Sequence, residues 1–162
     1  MSTKDNPSVA LSAVQISKPE EVTVGIAVAK WNEDITRNLL QGALDQLHAS
    51  GINSEMIITK EVPGSFELPL GAQWLIEKAH VSGVICLGSV IKGETDHFTF
   101  VCQAASSGTL EVALKYNKPV IFGVLTDNTK QQAVDRSGGK LGNKGVEAAI
   151  SLIEMINLKN DL

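Results

Sequence analysis

The sequence lacks an excess of positive charge. Its formal net charge is −4 and aromatic residues make up only 4% of it. No basic stripe with interleaved aromatics appears, which argues against nucleic acid as a partner. No apolar run approaches membrane-spanning length, so no membrane association is expected. The first twenty residues carry Lys4, Asp5, Lys18 and Glu20 and no long apolar core. They read as neither a secretory signal nor an arginine-rich transit peptide, and a cytoplasmic location is expected. Cysteine is scarce: Cys86 and Cys102 stand in apolar contexts and read as buried thiols of a reducing compartment. No Cys/His spacing suits a metal. Gly139-Lys140 is followed by Leu141 and has no glycine five positions before it, so it is no Walker-type phosphate loop. No G-x-G-x-x-G is present either. Neither metal nor organic cofactor is therefore expected.

What is present is an ordinary globular balance, 43% hydrophobic and 20% charged over 162 residues, a length suited to one domain. Residues 1–20 are polar, contain Pro7 and Pro19, and read as a flexible N-terminal arm. Within that arm Val9-Ala10-Leu11 and Val14-Gln15-Ile16 are candidates for an extra edge strand. Residues 21–162 read as a single domain. Val22 to Lys30 is rich in Val and Ile and predicts a strand. Asp34 to Ser50 places Ile35, Leu39, Leu40, Ala43, Leu44 and Leu47 on one helical face, with Gly51 as terminator. Further strands are expected over Met56–Val62, Val84–Ile91 and Val120–Thr126. Further helices are expected over Glu67–His80, Phe98–Asn117, 128–137 and 144–158. This alternation implies an α/β fold, a three-layer αβα sandwich with a four-stranded parallel sheet.

In such sheets ligands sit beyond the carboxyl ends of the strands. Loop one holds Trp31 and Asn32. Trp31 suits stacking on a flat ring, beside the plainer reading of a core or interface tryptophan. Loop two holds Ser65, Phe66 and Glu67. Glu67 suits either hydroxyl recognition or a first-turn acid facing the helix dipole. Loop three runs Lys92 to His97. Gly93-Glu94-Thr95 before a helix suits an anion, or Thr95 or Asp96 is simply an N-cap. His97 is the one histidine away from a helix C-terminus and suits acid/base work near neutral pH. Arg136 and Lys144 would add charge-assisted hydrogen bonds to an anion. Gly138 to Gly145 holds four glycines in eight residues. It reads either as a mobile connector or as a close approach of backbones. Together these residues describe a site for a flat ring, a polyol and a phosphate.

Five segments, in order, resemble the 6,7-dimethyl-8-ribityllumazine synthase family of riboflavin biosynthesis. They are Ala29-Lys30-Trp31-Asn32, Val62 to Pro69 (VPGSFELP), Leu87 to Phe98 (LGSVIKGETDHF), Pro119 to Thr126 (PVIFGVLT) and Gln132 to Gly145 (QAVDRSGGKLGNKG). The resemblance spans residues 22 to 158. It implies condensation of 5-amino-6-ribitylamino-uracil with 3,4-dihydroxy-2-butanone 4-phosphate, without metal or organic cofactor. It implies that Trp31, where phenylalanine is the commoner residue, stacks on the pyrimidine. Asn32, Ser65, Phe66 and Glu67 would surround the ring and ribityl chain, and Val90 and Ile91 would offer backbone contacts. Gly93, Glu94, Thr95 and Arg136 would bind phosphate and His97 would transfer protons. It further implies a homo-oligomer, a pentamer and by its short connector a closed shell of sixty subunits, in which Phe122, Arg136 and Lys144 serve the neighbour's site. A flavodoxin-like flavin-binding module is the alternative, and a purely structural shell protein a third reading.

Overall fold

The structure, a computed structural model, describes residues 14–162. Its centre is β1 (Val24–Ala29), buried along its whole length. Such a strand needs cover on both faces, and its alternation divides the core in two. Val24, Ile26 and Val28 join one hydrophobic cluster, Ala27 and Ala29 the other. The next elements are α1 (Glu33–Ala49), β2 (Ile57–Val62), α2 (Leu68–Ala79) and β3 (Gly83–Ile91). They are followed by α3 (His97–Tyr116), β4 (Val120–Asp127) and α4 (Lys130–Arg136). A short pair β5 (Ser137–Gly139) and β6 (Gly142–Asn143) leads into α5 (Lys144–Asp161). The four main strands are parallel, in the order β2-β1-β3-β4.

Helices α1 and α5 pack together over the first cluster, and α2 and α3 over the second. In α1 the buried residues Ile35, Leu39, Ala43 and Leu47 recur every fourth position and form the inner stripe. Leu39 is fully buried, so truncation there would cost about 2–5 kcal/mol. The expected α/β sandwich is thus the observed one, with element ends shifted by one to three residues. One shift matters locally. Ser65–Glu67 forms a 3₁₀ turn before α2 begins at Leu68, because Glu67 closes a hydrogen bond onto the Gly64 N–H.

The glycine-rich segment is a small antiparallel hairpin, β5 with β6, rather than a structureless connector. Of the two readings, close approach describes its end. A Cβ on Gly145 would collide with the carbonyl of Leu39, so glycine lets the start of α5 lie directly on α1. Asn143 fastens the crossing by donating to the Asn38 carbonyl at 2.8 Å and accepting from Gly145 N–H at 2.8 Å. At the other end of the chain, Val9-Ala10-Leu11 lies outside the described residues. Val14–Ile16 joins no strand of the sheet. It lies along the ends of α1 and α5, with Ile16 buried and its N–H donating to Ser50 at 3.3 Å.

Candidate active site

The strand order reverses direction between β1 and β3. The chain leaves β1 into α1 on one face of the sheet and leaves β3 into α3 on the other. A crevice opens at such a switch point. Its depth follows from strand lengths. β1 pairs with β3 only as far as Val28 opposite Leu87, whereas β3 continues beside β4 to Ile91 opposite Asp127. The end of β3 therefore overhangs β1. Ser89 uses its carbonyl on that open side, accepting from the Asn32 side-chain amide at 2.9 Å. In a parallel strand, alternation carries Ile91 to the same side as Ser89. Its N–H and C=O face the crevice beyond the last β1 partner, one donor beside one acceptor.

Asn32 is left-handed, with φ of 58°, a conformation Asn tolerates better than most residues. Its side chain makes no cap bond to α1; it spans the crevice to β3 instead. Trp31 beside it is 74% exposed, which removes the core reading. Its Cδ1 would lie 3.4 Å from a Cβ placed on Gly64. The indole thus borders the β2 loop, and a side chain at position 64 would crowd it. Phe66, 58% exposed, stands on that same loop. Ser65 is buried below, its Oγ 2.5 Å from where a Gly88 Cβ would be. Glu67 Oε2 accepts from Gly64 N–H at 2.9 Å. Its other oxygen has no partner among the described residues and remains an acceptor. Two exposed aromatics and a half-used carboxylate therefore flank β1.

Across the crevice, Val90 and Ile91 are half-buried, and Gly93, Glu94, Thr95 and His97 are exposed. His97 is the first residue of α3. Asp96 is the N-cap residue of that helix, but neither its side chain nor that of Thr95 makes a cap hydrogen bond. Thr99 N–H already donates to the Asp96 carbonyl at 2.9 Å; the N–H groups of His97 and Phe98 keep their donor capacity, and the dipole adds attraction for anions. The loop is anchored by Lys92 N–H donating to the Asp127 carbonyl at 2.9 Å.

Three expected residues lie apart from this group. Phe122 pairs with Cys86 in the middle of β4, well below the strand end. Lys144 opens α5 in the outer helical layer and binds Glu147 at 2.8 Å. Arg136 ends α4, beyond β4. One further group stands at this edge, Asp127, which is not among the residues singled out from the sequence. Asp127 is buried, with Oδ2 unpartnered. Burial pushes its carboxyl above the usual range, and the Arg136 charge pulls partly against that. A carboxylate on a strand otherwise filled with core residues was the available signal. Cys86 is inert, its thiol pushed up to about 12 by complete burial; both cysteines are free. No cluster of three or more His, Cys, Asp or Glu suited to a metal occurs among the described residues.

Residues 21–160 match the family model described as 6,7-dimethyl-8-ribityllumazine synthase. A protein of that name from Cytophaga hutchinsonii is 60% identical over 132 residues, covering 82% of this chain and 83% of the relative. One from Parabacteroides distasonis is 49% identical over 137 residues, covering 85% and 86%. One from Protochlamydia amoebophila is 45% identical over 139 residues, covering 86% and 81%.

Proposed function

This chain belongs to the 6,7-dimethyl-8-ribityllumazine synthase family, and we propose that the crevice between β1 and β3 is where it carries out that family's condensation. The substrates are 5-amino-6-ribitylamino-uracil and 3,4-dihydroxy-2-butanone 4-phosphate. The products are 6,7-dimethyl-8-ribityllumazine, phosphate and water, the penultimate step of riboflavin biosynthesis. The observation that carries the reading is the overhang of β3. It leaves the N–H and C=O of Ile91 without a β1 partner, on the same sheet edge as the exposed Trp31. A pyrimidine edge offers the complementary acceptor and donor, and its face suits the indole.

The ribityl hydroxyls meet Glu67 and Asn32, and Ser65 and Phe66 shape the floor. The phosphate meets Gly93, Glu94 and Thr95 at the uncapped start of α3. The amine of the pyrimidine attacks the ketone, and loss of water gives a Schiff base. Phosphate then leaves by elimination, and ring closure expels a second water. His97 relays the protons, accepting one as phosphate departs and returning one as water leaves. Much of the acceleration comes from holding two substrates in register. Flavin binding alone is the weaker reading, because it gives no task to His97 or to a second, anion-binding half of the site.

The positions of Phe122, Arg136 and Lys144 support a site completed by a second copy. So does α3. Phe100, Gln103, Ser107, Leu110 and Leu114 are exposed and recur at alternating intervals of three and four. That spacing is the seam of helices that pack on one another. Leu70 and Trp74 on α2 extend the exposed apolar surface. A ring of five copies, assembled further into a shell of sixty, fits these faces and the short β5–β6 connection. A cytoplasmic location fits two free thiols. The reading is tested by mixing both substrates with the chelated protein and following lumazine fluorescence. Absence of product, or a yellow protein stoichiometric in flavin that turns nothing over, would refute it.

A further inference from the structure

Asp127 is a buried carboxylate that the reaction steps above leave without a task. Strand alternation explains where it sits. Leu125 points into the core beneath α5, Thr126 points out, and Asp127 returns to the Leu125 side at the very end of β4. Its backbone is committed: paired in register with Ile91, it accepts from Lys92 N–H. Its side chain is only 9% exposed, and Oδ2 meets no donor. A buried carboxylate oxygen without a partner is costly, and natural structures keep one where another group arrives to use it.

The group on hand is Arg136, at the last turn of the helix that follows Asp127. It is half-buried and enters no ion pair among the described residues. Its charge nevertheless acts on Asp127. The other cations of this segment are engaged elsewhere: Lys130 binds Asp34 at 2.8 Å and Lys140 binds Asp135 at 3.1 Å. A guanidinium carries five N–H donors in a rigid plane, enough to hold a carboxylate on one edge and a phosphate on another.

We propose that Asp127 is a positioning residue for substrate phosphate. Its free Oδ2 takes one edge of the Arg136 guanidinium and so aims the opposite edge at the anion. This rests on the reading of Arg136 as the phosphate ligand. The backbone carbonyl of Asp127 also anchors Lys92 at the base of its own chain's Gly93–Thr95 loop, so in a ring one residue would steady the loop of one site and the arginine sent into the neighbour's.

Inorganic phosphate is the probe, as a competitor of the butanone phosphate on the assembled enzyme. Asp127→Ala should weaken phosphate inhibition and raise the KM of the butanone phosphate by about tenfold, the effect of losing one charge-assisted hydrogen bond. The KM of the pyrimidine should not move, which a general loosening of the strand end would not spare. Asp127→Asn, which keeps an acceptor oxygen, should recover most of the loss. In Arg136→Ala the further change Asp127→Ala should do nothing. Unchanged or tighter phosphate binding in Asp127→Ala, with Arg136→Ala impaired, overturns the positioning role alone. Phosphate binding untouched in Arg136→Ala overturns the underlying reading. Where Asp127→Ala fails to assemble, a double-mutant cycle of Asp127→Asn with Arg136→Lys decides: coupled losses support the role and additive ones remove it.

Discussion

The Asn32 side-chain amide donates to the Ser89 carbonyl at 2.9 Å, bridging the two strands that flank the crevice. The contact has two consequences. It satisfies a strand carbonyl that would otherwise lack a partner where β1 has already ended. It also ties the β1 loop, which carries Trp31, to β3 two residues before Ile91. The cost is a left-handed residue that surrenders its capping role, and the return is a crevice of constant width.

Asn32→Ala should therefore lose stability by about 2 kcal/mol, about 1 from the hydrogen bond and about 1 from a left-handed alanine. Asn32→Gly keeps the backbone at ease and should lose much less. Both should raise the KM of the pyrimidine, because both free the loop. Urea unfolding and steady-state kinetics separate the two effects. Wild-type kinetics in Asn32→Gly would show that the bridge serves folding only.

His97 is exposed at the first turn of α3 and packs into no core. Replacement by alanine should leave the melting curve in place and reduce turnover by about 10²-fold or less, the low end for an acid/base group. Stopped-flow measurement at neutral pH checks this. An alanine variant as fast as the parent ends the proton-transfer assignment.

Asp127 makes the stability of the chain depend on pH. Burial holds its carboxyl above the usual range, so the folded chain binds a proton more readily than the unfolded one. Stability then falls as pH rises from the ordinary carboxylate range through the raised value, and the penalty persists at neutral pH. Asp127→Asn should melt a few degrees higher at neutral pH, and the gain should disappear in acid. A variant less stable than the parent at neutral pH without phosphate would mean that Asp127 already holds Arg136 before the anion binds. Higher stability with weaker phosphate binding would mark a site that trades one for the other.

The layers of this fold were legible because strand and helix periods alternate cleanly along the chain. Val24, Ile26 and Val28 against Ala27 and Ala29 already describe a strand covered on both faces. Trp31, Phe66, Glu67 and His97 were legible as strand-end residues for the same reason. The overhang of β3 was not, because it depends on where pairing with β1 stops, and no residue near Leu87 announces that. Nor was the tether of Asn32, a contact across 57 positions that a local reading takes for a turn or a cap. Gly138 to Gly145 offered two readings, and only the collision at Gly145 separates a crossing from a loose loop.

Assembly supplies the last prediction, and it turns on α3. The exposed side chains Leu110 and Leu114 lie on one stripe of a helix whose inner residues Ala105, Thr109 and Val112 are buried. A leucine 74% exposed at position 114 contributes nothing to an isolated chain; buried in a seam between copies it stabilises the assembly by about 1.5–3 kcal/mol. In the ring proposed above, Leu114→Glu would place a charge in every copy at that seam, where like charges would meet. Analytical ultracentrifugation should show the parent sedimenting as pentamers or larger shells and the variant as smaller, weakly active species. Weak activity is expected because Arg136 and Lys144 would no longer reach a neighbour's crevice. A monomeric variant with full activity would place the complete site in one chain and remove the ring from the mechanism.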